Sequence, residues 1–164
     1  MTLDPILNAP LQIQIHVLAA IVGLLLGPVV LYRRKGDTVH KKLGYTWITA
    51  MLIVATSSWF ITSFGVIGPF SPIHGFALLT YWSIWHGIRQ ALAGDIKAHQ
   101  SSLRGLYWNG LIIAGVANFI PGRTLNRILF PESPMLGWAV IALGAALILW
   151  RVMTRQRSTA GIPA

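Results

Sequence analysis

The sequence predicts an all-α membrane protein, a polytopic bundle of about five transmembrane helices. Of its 164 residues, 54% are hydrophobic and 10% are charged, and the mean hydropathy is +0.62. Soluble domains carry about a quarter charged residues, so this composition indicates a chain that lies in lipid. A helix needs about 20 apolar residues to cross a hydrocarbon core of about 30 Å, which leaves room for about five spans. We expect one integral membrane domain over residues 1–164.

The first predicted span covers residues 11–32. The segment before it contains one Asp and neither Lys nor Arg, so it lacks the positive region of a signal peptide and we expect the span to be retained. Gly23 and Gly27 form a small-xxx-small motif, which allows close packing of a neighbouring helix. At about 100° per residue His16 lies on the same face as both glycines, so it is predicted to point into the bundle.

The second and third predicted spans cover residues 43–64 and 72–93. The second carries hydroxyl side chains at heptad spacing, which suits the bundle interior better than lipid (Thr49, Thr56 and Ser63). The third begins with Pro72, a residue that fits a first helical turn, and contains His74 near its start and His86 further along. These two histidines lie about 18 Å apart along the helix, so they are not expected to share a ligand.

The fourth and fifth predicted spans cover residues 103–120 and 135–152. Two asparagines in the fourth require hydrogen-bond partners inside the protein. The fifth is apolar apart from its ends, where Trp138 and Trp150 are placed like interfacial anchors.

A short turn occurs twice in the chain: Gly36-Asp37-Thr38-Val39-His40 returns as Gly94-Asp95-Ile96-Lys97-Ala98-His99. Each copy follows a span with a histidine near its start, since His16 precedes His40 by 24 positions and His74 precedes His99 by 25. Such self-similarity predicts two tandem helix-loop-helix repeats, 11–66 and 72–121, followed by an extra C-terminal span over 135–152.

The distribution of basic residues predicts the orientation. Short cytoplasmic loops retain Lys and Arg. Eleven of the thirteen basic residues fall at one side of the predicted bundle, and only Arg123 and Arg127 fall at the other. We therefore expect a multi-pass membrane protein with its N-terminus outside and its C-terminus in the cytoplasm. The formal net charge of +9 is then an orientation signal and an attraction to anionic lipid rather than a sign of nucleic-acid binding.

A family resemblance rests on four features within residues 16–127: the early His16, the loop ending His40-Lys41-Lys42-Leu43-Gly44, the start Ser71-Pro72-Ile73-His74, and His99 through Pro121-Gly122-Arg123. This pattern resembles the bacterial membrane proteins grouped as domain of unknown function 2306. Lys41 stands where the family usually has the Arg of a His-Arg pair. The resemblance implies a small polytopic membrane protein. More distantly, the two histidine-bearing helix pairs resemble the four-helix cores of b-type haem membrane cytochromes.

The positions of four histidines suit haem b as a cofactor. His16 and His74 lie near the outer ends of spans that run in the same direction, and their depths differ by about one helical turn, so they are predicted to ligate one haem iron. His40 and His99 form a second pair on the inner side, for a second haem or a quinone head group. Arg123 is a candidate partner of haem propionates. The predicted function is electron transfer in or across the inner membrane, linked to quinone.

Simpler interpretations of these residues stay open. An inward histidine also serves as a hydrogen-bond partner between helices, and His40 and His99 also suit a solvated basic loop or a helix cap. His86 is expected to be a packing or interfacial residue. The rival function is a non-catalytic subunit or assembly factor of a larger membrane complex, whose aromatic and small-residue helix faces bind partner proteins.

Several function classes lack the residues that they need. The chain contains no cysteine, which excludes disulfides, thiolate metal sites and iron–sulfur clusters. Its four acidic residues lie outside the predicted spans, so an ion-coupled transporter lacks an intramembrane carboxylate. No phosphate-binding loop, zinc-protease motif or hydrolase elbow occurs, so any enzymatic activity is expected to be a membrane redox reaction.

Overall fold

The computed structural model describes residues 3–61 and 72–160, and every regular element in these ranges is helical, which confirms the all-α class. The helices are α1 (Asp4–Leu7), α2 (Leu11–Tyr32), α3 (Thr38–Ser58), α4 (Pro72–Leu92), α5 (Ile96–Gly105), a π-helical stretch (Leu106–Ile112), α6 (Ile113–Ala117), α7 (Thr124–Leu129) and α8 (Leu136–Ala160). Residues 6–114 form one compact unit, and residues 115–160 belong to a second that includes the N-terminal residues up to Pro5.

The two repeated turns share a positive-φ glycine followed by a capping aspartate. Gly36 and Gly94 have φ angles of 87° and 80°, a conformation that glycine adopts without steric cost. The side chain of Asp37 then accepts a hydrogen bond from the His40 amide, and that of Asp95 accepts one from the Ala98 amide. Aspartate at this N-cap position satisfies an otherwise unpaired helical N–H group and starts the helix.

These caps correct two predicted boundaries. The second span is predicted to begin at residue 43, but α3 begins at Thr38 because Asp37 caps it. The fourth is predicted to begin at residue 103, but α5 begins at Ile96 behind Asp95. His40 and His99 therefore lie in the first turns of helices rather than in the preceding loops. By contrast, α2 coincides with the predicted first span, and α4 ends one residue before the predicted end of the third.

The unit 6–114 is a four-helix arrangement. Helix α2 packs on α3, α3 on α4, and α4 on α5 and the π-helical stretch, which packs back on α2. Its core contains nine buried residues, which come from α2, α3, α4, α5 and the π-helical stretch: Val30, Leu31, Trp47, Met51, Ile84, Leu103, Leu106, Tyr107 and Leu111. The interior of this unit is therefore filled by apolar side chains at the level of Trp47, which is fully buried.

The fourth predicted span is not one continuous α-helix. It changes to π-helix between Leu106 and Ile112 before α6 begins. Within this stretch Tyr107 and Trp108 both reach α2: the Tyr107 hydroxyl donates to the Leu24 carbonyl at 3.2 Å, and Trp108 Nε1 donates to the Tyr32 hydroxyl at 3.0 Å. Two consecutive residues thus bond to the same neighbouring helix.

The unit that contains residues 115–160 has its own buried polar centre. Asn126 is fully buried, and its Nδ2 atom donates to the carbonyls of Phe119 and Pro134 at 3.1 and 2.7 Å. Gly137 packs so closely on this centre that a Cβ atom there would overlap the Phe119 carbonyl. The segment between α6 and α8 is held together by these contacts. Helix α8 extends to Ala160, beyond the predicted end of the fifth span at residue 152.

Exposed apolar side chains follow the helices that are predicted to contact lipid. On α2 most of them recur every three or four residues and so lie along one side of the helix (Leu11, Ile15, Leu18, Ile21, Leu24, Leu25, Val29 and Tyr32). Among the described helices α2 is long and apolar enough to cross a membrane, and the apolar part of α8, Leu136–Trp150, is shorter. The count of five spans and the tandem repeat stay predictions.

Candidate functional site

Five basic residues of unit 6–114 gather near the ends of α2 and α5 and the first turn of α3. We call this group the basic cluster: Arg33, Lys35, His40, His99 and Arg104. It joins the loop after α2 to residues of the second repeated turn and of α5. The last residue of the second repeated turn, His99, thereby lies near the last residue of the first, His40.

Lys35 lies at the centre of the basic cluster. Its Nζ atom donates to the carbonyls of Leu31 and Val30 at 2.6 and 3.1 Å, which caps the C-terminal end of α2. Partial burial lowers the pKa of Lys35, and the nearby guanidinium groups of Arg104 and Arg33 lower it further. Positive charges from α5 and from the loop after α2 are therefore close enough to repel one another.

His40 and His99 interact electrostatically within the cluster. Partial burial lowers the pKa of His40, and Lys35, His99 and Arg33 lower it further, while only Asp37 acts in the opposite direction. The Nδ1 atom of His40 is shielded from solvent and has no hydrogen-bond partner. Its imidazole is thus kept near a second imidazole with one ring nitrogen unused.

The ring of His99 is oriented by α4. Its Nδ1 atom lies 2.9 Å from the carbonyl oxygen of Gly87. Because a carbonyl only accepts, Nδ1–H is the donor and the Nε2 atom of the neutral ring carries the lone pair. Histidines that ligate metals commonly donate their other ring N–H to a backbone carbonyl in this way.

The two arginines of the cluster are each held by one neighbour. Arg33 Nη2 donates to Asp37 Oδ2 at 2.8 Å, an ion pair between residues four positions apart. The guanidinium of Arg104 lies over the ring of Tyr32, with Cζ 5.4 Å from the ring centroid. The Nε atoms of both arginines are shielded from solvent and have no hydrogen-bond partner.

The predicted outer pair lies near the last turns of α3. His16 Nδ1 is 3.1 Å from the Val54 carbonyl and 3.0 Å from Ser57 Oγ. Ser57 donates its own hydroxyl proton to backbone carbonyls, so His16 Nδ1–H is the donor and its Nε2 lone pair is left for another partner. His16 therefore faces the bundle, as its position on the glycine face predicts.

His74 is buried on α4, with 5% of its surface exposed. Its ring centroid lies 5.1 Å from that of Trp59, just after the end of α3. The structure thus places His16 and His74 beside the same end of α3. Their joint ligation of a metal stays a prediction.

His86 lies outside both pairs. Its Nε2 atom accepts from Gln90 Nε2 at 3.2 Å, and its Nδ1–H donates to Ser102 Oγ at 2.8 Å. Both ring nitrogens are therefore used, and Trp82 stacks on the ring. These contacts support the expectation that His86 is a packing residue.

The remaining predicted site residue, Arg123, precedes α7 in the unit with residues 115–160, where its amide donates to the Ile120 carbonyl at 3.0 Å. Binding of a haem propionate by the Arg123 side chain stays a prediction. In the described ranges no three His, Cys, Asp or Glu side chains form a metal-binding group. That result concerns groups of three or more side chains. A haem takes only two imidazole ligands from the protein, so the histidine pairs stay untested.

Sequence reasoning missed the contribution of Arg33, Lys35 and Arg104 to this site. Positive residues near the predicted cytoplasmic loops were explained by membrane orientation and attraction to anionic lipid, and these three were not singled out as site residues. The available signal was their distance from the repeated turns, since Arg33 lies four positions before Asp37 and Arg104 lies five positions after His99.

Residues 13–154 match a protein-family model described as "Predicted membrane protein (DUF2306)". This match confirms the family resemblance that the spacing of the histidines predicts. No curated protein and no solved structure matches the chain.

Proposed function

This chain belongs to the family of predicted membrane proteins DUF2306, and on that premise we propose that it carries electrons in or across the bacterial inner membrane by means of b-type haem. The proposed arrangement has five spans, an outer N-terminus and a cytoplasmic C-terminus. The lipid bilayer, including its anionic lipid, is then the first partner of the protein, and its exposed apolar helix faces suit this environment.

The observation that carries the proposal is the approach of His40 and His99. They come from separate helices and separate copies of the repeated turn, and His99 lies close enough to lower the pKa of His40. His99 also has the orienting bond to the Gly87 carbonyl that favours Nε2 as a ligand. We propose that these two imidazoles would hold one haem by binding its iron.

His16 and His74 are the proposed ligands of a second haem toward the opposite side. His16 has the same tautomer as His99, because its Nδ1–H donates to α3. His74 is buried, as an axial ligand in the membrane would have to be. Bound haem would supply a reversible one-electron couple, and the chain would supply ligation, burial and the surrounding charges.

The absorbance spectrum of the purified protein tests this proposal. Protein from haem-replete cells is expected to show a Soret band, and His40→Ala and His99→Ala should each remove the haem of the inner pair. His16→Ala and His74→Ala should each remove the other haem. His86→Ala is the matched control, because both ring nitrogens of His86 are bonded within the chain, and it should keep the haem content of the natural protein.

A colourless preparation that takes up no added haem would contradict the proposal. The alternative function, a non-catalytic subunit or assembly factor of a membrane complex, would then be favoured. Loss of haem in His86→Ala to the same extent as in His99→Ala would also contradict it, since any disturbance of α4 and α5 would then explain the result.

A quinone head group is the second candidate ligand of the inner pair. Quinone carbonyls accept hydrogen bonds, and the unpartnered Nδ1 of His40 is a possible donor. Neutral His99 has no free N–H, because Nδ1–H is bonded to Gly87. This candidate therefore predicts that His40→Gln weakens quinone binding much more than His99→Gln, whereas axial ligation of haem requires both histidines equally.

A further inference from the structure

The basic cluster carries more positive charge than the surrounding chain neutralises. Arg33, Lys35 and Arg104 contribute three positive charges. Unit 6–114 contains two carboxylates, Asp37 and Asp95, and Asp95 caps α5 through the Ala98 amide. With neutral histidines and Asp37 included, the cluster has a charge of three minus one, or plus two.

The cluster also contains donors that have no acceptor. Among the described residues four shielded side-chain polar atoms lack a hydrogen-bond partner, and three of them lie here: Arg33 Nε, Arg104 Nε and His40 Nδ1. An arginine Nε is always a donor, because the guanidinium does not deprotonate in proteins. Two of the three atoms therefore require an acceptor, and the third can donate to one.

The two guanidinium groups are held in place before any ligand arrives. Asp37 fixes one end of Arg33 at 2.8 Å, and the ring of Tyr32 supports Arg104. Tyr32 is itself positioned by the hydrogen bond from Trp108. Planar guanidinium forks of this kind bind carboxylate and phosphate groups through two parallel hydrogen bonds.

We propose that Arg33, Arg104 and His40 form a binding site for an oxyanion, either a carboxylate or a phosphate group. An oxyanion supplies the missing acceptors and offsets the charge that Asp37 leaves uncompensated. Two sources carry this chemistry into a membrane protein: the propionate of a bound haem and the phosphate of an acidic phospholipid. The first source rests on the proposed function, and the second is independent of it.

Substitution of the arginines tests the site. Arg33→Gln and Arg104→Gln remove the charged fork and keep a side chain of moderate length, and Arg34→Gln is the matched control because Arg34 is exposed in the same loop. In nanodiscs that contain phosphatidylglycerol, bound lipid is counted by native mass spectrometry. In coloured protein, the haem midpoint potential is measured by redox titration.

The two sources give different results. If lipid phosphate occupies the site, affinity for phosphatidylglycerol falls about tenfold or more in Arg33→Gln and Arg104→Gln, while haem content and potential match Arg34→Gln. If a propionate occupies it, the midpoint potential changes and lipid retention matches the control. Colourless protein would contradict the haem proposal and leave the lipid measurement as the test of this site.

Equal lipid affinity and equal potential in both arginine variants and in Arg34→Gln would overturn the oxyanion site. If Arg104→Gln does not fold, Arg104→Lys is the variant that tests the oxyanion site. Lysine keeps the charge and lacks the planar fork, so an oxyanion site predicts weaker binding in this variant than in Arg34→Gln. Binding as strong as in Arg34→Gln would again overturn the proposal.

Discussion

Gly27 of α2 and Tyr107 of the π-helical stretch are in direct contact, and a Cβ atom on Gly27 would overlap the Tyr107 ring. Beside them, Trp47 Nε1 donates to the Gly23 carbonyl at 2.9 Å. The glycine face of α2 is therefore covered by two aromatic side chains, one from α3 and one from the π-helical stretch. A small-residue motif usually allows two helix backbones to approach closely. In this protein it leaves space for aromatic rings from the neighbouring helices.

Gly27→Ala is expected to destabilise the protein by about 1 to 3 kcal/mol, because the added methyl group must displace a packed ring. Gly44→Ala is the control: its Cβ would lie 4.0 Å from Val30, an ordinary contact. Alanine in a helix interior is favoured over glycine by up to about 1 kcal/mol, so this control should be neutral or stabilising. Thermal unfolding in detergent compares the two, and equal losses would refute the packing account.

Removal of the second N-cap is expected to destabilise α5. Asp95→Ala deletes the acceptor of the Ala98 amide, 2.9 Å away, at a cost of about 1 kcal/mol. Asp95→Asn keeps a capping oxygen and should stay within a few tenths of a kcal/mol of the natural protein. Denaturation midpoints of the three proteins measure the difference. A substitution by Asn as harmful as that by Ala would show that charge, and not capping, is what Asp95 contributes.

Acidification is expected to destabilise the basic cluster. Burial and the neighbours Lys35, His99 and Arg33 lower the pKa of His40 below its ordinary value of 6.5, and Asp37 opposes this only in part. Between the lowered value and 6.5 the unfolded chain binds more protons than the folded one, so stability falls as the pH drops through this window.

The pH dependence of thermal unfolding, measured on haem-free protein in which the His40 ring is not bound to iron, checks this expectation. His40→Gln should unfold at a temperature that changes less between pH 7.5 and pH 5.5 than that of the natural protein. His86→Gln is the comparison outside the cluster. Identical pH profiles in the natural protein and in His40→Gln would rule out a contribution from this imidazole.

Single cysteines test the proposed topology, since the natural chain contains none. Arg34→Cys and Lys97→Cys introduce thiols at exposed positions beside the repeated turns and should be labelled only from the cytoplasmic side. Glu132 lies between the fourth and fifth predicted spans, so the thiol of Glu132→Cys should be labelled only from the outside. Labelling of Arg34→Cys and Lys97→Cys from opposite sides would exclude the proposed five-span arrangement.

The sequence predicted helices best where local signals were sufficient. The bounds of α2 follow from a long, mainly apolar run, and the start of α4 follows from Pro72. The starts of α3 and α5 were misplaced because the apolar runs begin later than the helices, and their first turns are polar segments behind capping aspartates. The π-helical stretch was not predicted, since the side-chain hydrogen bonds of Tyr107 and Trp108 reach α2, which is distant from them in the chain.

By itself the sequence determined the all-α class, the apolar composition and the two Gly-Asp turns, because each depends on composition or on residues close together in the chain. It also determined the family, through a pattern of residues that is read along the chain and needs no contact between distant segments. Tertiary structure alone decided which basic residues gather into one cluster. Arg33 is a near neighbour of Lys35 in the chain, but Arg104 lies near Lys35 only because α5 packs on the end of α2 beside Tyr32. It also decided which histidine nitrogens are used, since Gly87, Val54 and Ser102 lie on other helices than the imidazoles they contact. Hydrogen bonds between distant segments have no local pattern, so spacing alone could not separate His86 from His99.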